Sequence, residues 1–237
     1  MTERGRRRLW LLGASSLFVA ILVAMGIALA GSDEGESGTT TGPPEGVRET
    51  LALYRGIPQR GIELGDPAAK VTLTEFADLQ CPFCGKYGRE VLPVIVKRYV
   101  RTGRVKLIFR NLTFLGEDSE EAAEMAAAAG RQNKLYEFVD LVYRNQGAEG
   151  EGWVDEDYLR RIGTAVGLDV ERALAERGHP EVRAQLETAK GAAEGADIEA
   201  APTWLVTRLG RAPERLEPEV LEPEPFGKAL DRALAAD

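Results

Sequence analysis

Glu75-Phe76-Ala77-Asp78-Leu79-Gln80-Cys81-Pro82-Phe83-Cys84 is the stretch on which the reading of this 237-residue chain turns. The run VTLTEFA, residues 71–77, is dense in β-formers and reads as a strand covered on both faces. It leads directly into Cys81 and Cys84, the two cysteines of the chain. With a helix opening at Pro82, the i, i+3 spacing puts both sulfurs on one side of a first turn, within reach of a small-ring disulfide. Unpaired N–H groups and the positive end of the helix dipole stabilise a thiolate there. Pro82 fits that turn, where its missing N–H costs nothing and its fixed φ is already helical.

Two blander readings of the pair are weaker. A structural zinc site wants four ligands, and the chain adds one distant histidine, His179. A purely structural bridge closing so short a ring stabilises by only ~2 kcal/mol in the chain-entropy model, less any strain. A dithiol/disulfide redox pair is the reading the spacing favours.

Composition narrows the setting. The chain carries 30 Lys plus Arg against 38 Asp plus Glu, a net charge of −8. Arg4, Arg6, Arg7 and Arg8 stand against Glu3 near the start, so residues 31–237 hold 26 cations and 37 anions, a net −11. An acidic domain without a basic cluster argues against nucleic acid or anionic lipid as a partner. Both cysteines fall in one motif, which leaves no third thiol to mispair in an oxidising compartment.

The organisation follows from the N-terminus. Residues 1–8 are a basic cytoplasmic segment, and residues 9–30 are uncharged over 22 positions, long enough for a transmembrane helix with everything after it outside the cytoplasm. Ala28-Leu29-Ala30 also has the form of a signal-peptide cleavage site, so secretion after cleavage is the alternative. Both readings export the domain. Residues 31–46, GSDEGESGTTTGPPEG, form a flexible tether with an r.m.s. span of about 20 to 25 Å.

Residues 47–237 read as one α/β domain. A short helix is expected over 47–54, a first strand over 62–64 and a turn at Gly65-Asp66-Pro67. Beyond the cysteines, Val91, Leu92, Val94, Ile95 and Tyr99 recur at helical spacing with Pro93 as a kink, and residues 105–109 give the next strand, completing a β-α-β unit. Asp118 and Glu121 have capping-box spacing, and four or so helices follow over about 117–197 as a helical insertion. Pro180 opens the last of them, and His179 beside it reads as a loop residue. Residues 203–207 form a further strand and Phe226, Ala229, Leu230 and Leu234 a closing helix. Residues 212–225 carry four prolines and five glutamates, with a short strand near Arg215-Leu216. None of the apolar stripes asks for a cofactor beyond the Cys81–Cys84 disulfide itself.

The motif Leu79-Gln80-Cys81-Pro82-Phe83-Cys84, the upstream Leu64-Gly65-Asp66-Pro67 and the downstream Ala201-Pro202-Thr203 resemble the DsbA-like thioredoxin-fold proteins, specifically the exported or membrane-anchored bacterial thiol-disulfide oxidoreductases of the BdbD type. The resemblance implies a thioredoxin-like fold, a central mixed sheet flanked by helices with an inserted helical subdomain. It implies an enzyme that forms disulfides in exported proteins and is recycled by a quinone-linked membrane partner of the DsbB or VKOR kind. Cys81 is then the nucleophile and exposed sulfur, and Cys84 the more buried, resolving one. Glu75 falls where the family places a buried acid beneath the second cysteine, poised to relay the Cys84 proton. Pro202 matches the cis-proline loop, Ala201 offers backbone to an extended substrate, and Thr203 tunes the site from alongside. Trp204 is expected in the core, where it can also line the substrate groove. The DsbA dipeptide is Pro-His, whereas this chain has Pro82-Phe83 and so lacks a cation beside the thiolate; a weaker oxidant is expected, and reductase or isomerase roles stay open. A reading of another class, a holdase or adaptor with a structural disulfide, predicts function without the cysteines.

Overall fold

The structure is a computed structural model that describes residues 42–235. The expected membrane segment, residues 9–30, and most of the tether lie outside these residues. Among the described residues, no helix is long and apolar enough to cross a membrane.

Helix α1 (Val47–Tyr54) precedes a small hairpin of β1 (Gln59–Arg60) and β2 (Glu63–Leu64). The strand expected at 62–64 is thus half of a hairpin, which turns through Gly61 at a φ of 56°. Strand β3 (Val71–Ala77) follows, then β4 (Val105–Asn111), β5 (Thr203–Arg208) and β6 (Glu214–Arg215). They form one mixed sheet in the order β1-β2-β4-β3-β5-β6. Strand β3 is central, parallel to β4 and antiparallel to β5, with Glu75 opposite Phe109 on one side and Trp204 on the other. That placement explains its apolar run, because both its faces are covered.

Helix α2 crosses from β3 to β4. It begins as α-helix Pro82–Lys86 and continues through π-helical Tyr87–Val91, α-helical Leu92–Ile95 and π-helical Val96–Val100. The expected disturbance at Pro93 takes the form of these widened turns: Pro93 cannot donate to the ladder, and its ring crowds the preceding carbonyl. The face carrying Cys84, Tyr87, Val91, Ile95 and Tyr99 is buried in the main core with Leu73 and Ala77 of β3. Period-2 alternation puts Glu75 on that same side. On the opposite face Phe76 packs with Leu112, Ala193 and Ile198.

Between β4 and β5 lie five helices: α3 (Glu117–Arg131), α4 (Leu135–Arg144), α5 (Glu156–Ala165), α6 (Val170–Glu176) and α7 (Pro180–Glu194). The capping box expected from Asp118 and Glu121 does not form. Helix α3 starts earlier, after Gly116 at a φ of 88°, and has no side-chain cap. His179 is more than a loop residue: it caps α7, its Nδ1 accepting the Glu181 N–H at 3.2 Å. A closing helix α8 (Pro223–Ala235) returns to α2, where the Tyr99 hydroxyl donates to the Gly227 carbonyl at 3.1 Å.

Candidate redox site

The site is built at the end of β3, where the chain must turn from strand into helix. Asp78 holds that turn. Its fully buried carboxylate accepts the Gln80 N–H at 2.8 Å and the Ser119 hydroxyl at 2.7 Å through Oδ1. Through Oδ2 it accepts the Phe114 and Leu115 N–H groups at 2.7 and 3.2 Å. Its own carbonyl accepts the Cys81 N–H at 3.1 Å. Just past the end of α4, Gln146 donates to the Leu79 and Cys81 carbonyls at 2.9 and 3.1 Å. The motif is thereby tied to the loop after β4, to α3 and to the segment after α4 at once. Sequence reasoning passed over Asp78 and Gln146; an acid three residues before the first cysteine was the one available signal.

Cys81 sits at the N-cap of α2 with Pro82 in the first turn, as expected. Both cysteines are free thiols and differ in exposure, Cys84 at 0% and Cys81 at 7%. Cys81 is the more open sulfur, yet far less exposed than expected, because the Ala201 carbonyl stands 3.4 Å from its Sγ. A hydrogen bond from the Cys84 thiol lowers the Cys81 pKa to about 7, helped by the N–H groups of Cys84 and Phe83. Burial and the Asp78 charge oppose that fall. Burial pushes the Cys84 thiol far above its ordinary value, reinforced by its hydrogen bond to Cys81 and by the Cys81 and Glu75 charges. The pair is therefore polarised: Cys81, the less buried sulfur, sheds its proton near neutral pH while Cys84 keeps its own.

Glu75 lies beneath the motif in the sheet, 6% exposed, with Oε1 lacking any partner. Burial alone raises its pKa from 4.5 to about 8, so it is a carboxylic acid at neutral pH. The buried hydroxyls of Tyr54, Tyr136 and Tyr143 have raised pKa values too, mainly through burial, with the Glu75 charge contributing to each.

The Ala201-Pro202 peptide is cis. It brings the Ala201 carbonyl to Cys81, and the Thr203 hydroxyl donates to the Ala200 carbonyl at 2.8 Å. Thr203 does not contact either sulfur by hydrogen bond. Beside this loop lies a groove of about 400 Å³, lined by Phe83, Ala201, Pro202, Thr203 and Trp204 on one side and residues 215–221 on the other. Trp204 is at once core and groove wall: its ring packs against Tyr87 and Phe226 at centroid distances of 4.8 and 5.0 Å. Phe83, expected only as a missing cation, is 66% exposed in this groove. The wall from 215 to 221 was not anticipated.

Residues 59–211, well over half of the chain, match the family described as Thioredoxin. A protein of Bacillus cereus named probable disulfide bond formation protein D is 38% identical over 101 residues, 42% of this chain and 47% of that protein. The similarly named protein of Bacillus anthracis is 29% identical over 147 residues, 60% of this chain and 68% of its own length. The aligned part is thus about half of one relative and two thirds of the other. Oxidised BdbD from Bacillus subtilis superposes with a TM-score of 0.65 at 21% identity, over 82% of this chain and 97% of that one, which shows a shared fold. The chain belongs to the thioredoxin family.

Proposed function

We propose that this chain is a thiol-disulfide oxidoreductase that works outside the cytoplasm, tethered by residues 9–30, and forms disulfides in exported proteins. The observation that carries the reading is the opposed shift of the two thiols, Cys81 down to about 7 and Cys84 far up. In the oxidised form a substrate thiolate attacks Cys81 Sγ, the Cys81–Cys84 bond breaks, and its electron pair goes to Cys84. Cys84 takes a proton, for which buried, protonated Glu75 is the donor. A second substrate thiolate then attacks the substrate sulfur of the mixed disulfide. Cys81 leaves as a thiolate, and its lowered pKa makes it a good leaving group. The substrate loses two electrons, which the cysteine pair gains; its two thiol protons go to solvent, from which Glu75 recovers the one it gave to Cys84 and Cys81 takes up the other below its pKa. Extended substrate backbone lies along Ala201, Pro202 and Thr203 during the exchange. A membrane reoxidase of the DsbB or VKOR kind removes the electrons afterwards.

A second reading, reductase or isomerase, has one observation in its favour: Cys81 near 7 resembles thioredoxin's thiol at about 7 more than DsbA's at about 3.5. Phe83 supplies no cation to depress it further. Two measurements decide. Cys84→Ala should accumulate mixed disulfides through Cys81 while Cys81→Ala accumulates none; equal trapping by both refutes the roles. A glutathione-buffered titration giving a potential near ~−120 mV supports the oxidase, and one near ~−270 mV the reductase.

A further inference from the structure

The proline- and glutamate-rich segment 212–225 has no helical or strand period, yet it holds a fixed place. Leu216 is buried, and its N–H donates to the Trp204 carbonyl at 2.9 Å, hanging the segment on β5 as the far wall of the groove. Several charged side chains of this segment are committed elsewhere. Glu214 pairs with Arg208 at 2.5 Å, and Glu224 with Arg98 at 3.3 Å. The Arg215 guanidinium donates to the Ala196 and Asp197 carbonyls beyond α7. Glu217 and Glu219 are exposed on the groove wall and have no cation partner among the described residues. In the same groove, Val220 and Phe83 are 50% and 66% exposed.

A groove that offers two uncommitted carboxylates and half-exposed apolar surface, next to the Ala201-Pro202 loop whose carbonyl meets the attacked sulfur, is complementary to one kind of chain. We propose that Glu217 and Glu219 select the substrate, favouring extended protein segments in which a lysine or arginine and an apolar side chain lie within a few residues of the reacting cysteine. This rests on the redox reading given above. Rim charges of this sort act chiefly on encounter and register, so the preference belongs in the second-order rate of attack and weakens with salt.

The test uses the oxidised full-length chain and two synthetic peptides. Each peptide has two cysteines and identical apolar neighbours; one carries lysines at the flanking positions and the other glutamates. Peptide oxidation is followed after acid quench by mass spectrometry, for wild type and for the Glu217→Gln/Glu219→Gln variant. Comparing the lysine-to-glutamate rate ratio between the two proteins cancels the peptides' own thiol pKa values. The ratio should fall about 5- to 10-fold in the variant, as two exposed charge contacts are lost, and should fall likewise in wild type at 0.5 M NaCl, a concentration about threefold above physiological ionic strength. Glu217→Lys/Glu219→Lys, which reverses the charge of the pair, should push the ratio below that of the glutamine variant. A ratio that is the same in all three proteins, with both peptides oxidised, overturns the selection and leaves the redox reading intact. Failure of wild type to oxidise either peptide overturns the redox reading instead.

Discussion

Glu75→Gln separates the cost of the buried acid from its use. Burial holds Glu75 at about 8 instead of 4.5. Below pH 4.5 the carboxyl is protonated in both folded and unfolded chains, and the position costs nothing extra. As pH climbs, the unfolded chain ionises while the folded chain keeps its proton, so stability falls until both states are ionised above pH 8. At about 1.4 kcal/mol per pH unit, the full interval is worth about 5 kcal/mol, a large share of the 5 to 15 kcal/mol that ordinarily holds a domain together. Glutamine keeps the shape and removes the titration. Its amide, with no partner waiting, adds a cost that does not depend on pH. Urea unfolding of both proteins in the reduced form, at pH 5, 6, 7 and 8, should therefore show wild type losing about 4 kcal/mol more than the variant across that range. Cys81 titrates in both proteins and drops out of the difference. A difference that stays constant with pH refutes the assignment of a neutral, desolvated acid at this position. The same variant should slow release of Cys84 by about 100-fold, the lower end of what general acid–base assistance contributes, read in single-turnover oxidation of a dithiol peptide.

Two further outcomes follow from the site. Iodoacetamide should label Cys81 of the reduced protein with a midpoint near pH 7 and leave Cys84 unmodified, as read by peptide mass spectrometry; preferential labelling of Cys84 reverses their roles. Asp78→Ala strips four donors of their acceptor and should cost at least about 3 kcal/mol at 1 to 3 kcal/mol per abandoned buried group; a loss below about 1 kcal/mol in denaturant unfolding means the turn is held by other contacts.

The strand, the two sulfurs and the helix behind them were legible because they are local. A β-rich run, a proline in the first turn and an i, i+3 spacing all sit within fourteen residues. Pro202 and Glu75 came from resemblance, and the fold gives each a physical setting that no periodicity announces: a carbonyl against a thiol, and a carboxyl with no partner. What stayed hidden is long-range. Asp78 finds three of its four donors 36 to 41 residues ahead, and Gln146 reaches back 65 to 67 residues. Asp118 and Glu121 misled for the same reason. Ser119 between them is spent on Asp78, the chain turns at Gly116, and the helix begins before a capping box can close. Helix α6, with seven residues, is too short for a stripe to register. The 212–225 segment, lacking any period, revealed its role only once Leu216 was seen to hang it on β5.

Both outer strands of the sheet, β1 and β6, are two residues long. Unpaired backbone at a sheet margin is a template for any extended chain, and long flat margins seed fibres. If its clients are unfolded exported chains, as proposed, the protein would meet that hazard at every turnover. Here the margins are only two residues long, too brief to recruit a guest, and the proposed berth for an extended strand lies instead beside Pro202, where occupancy would end in chemistry and departure.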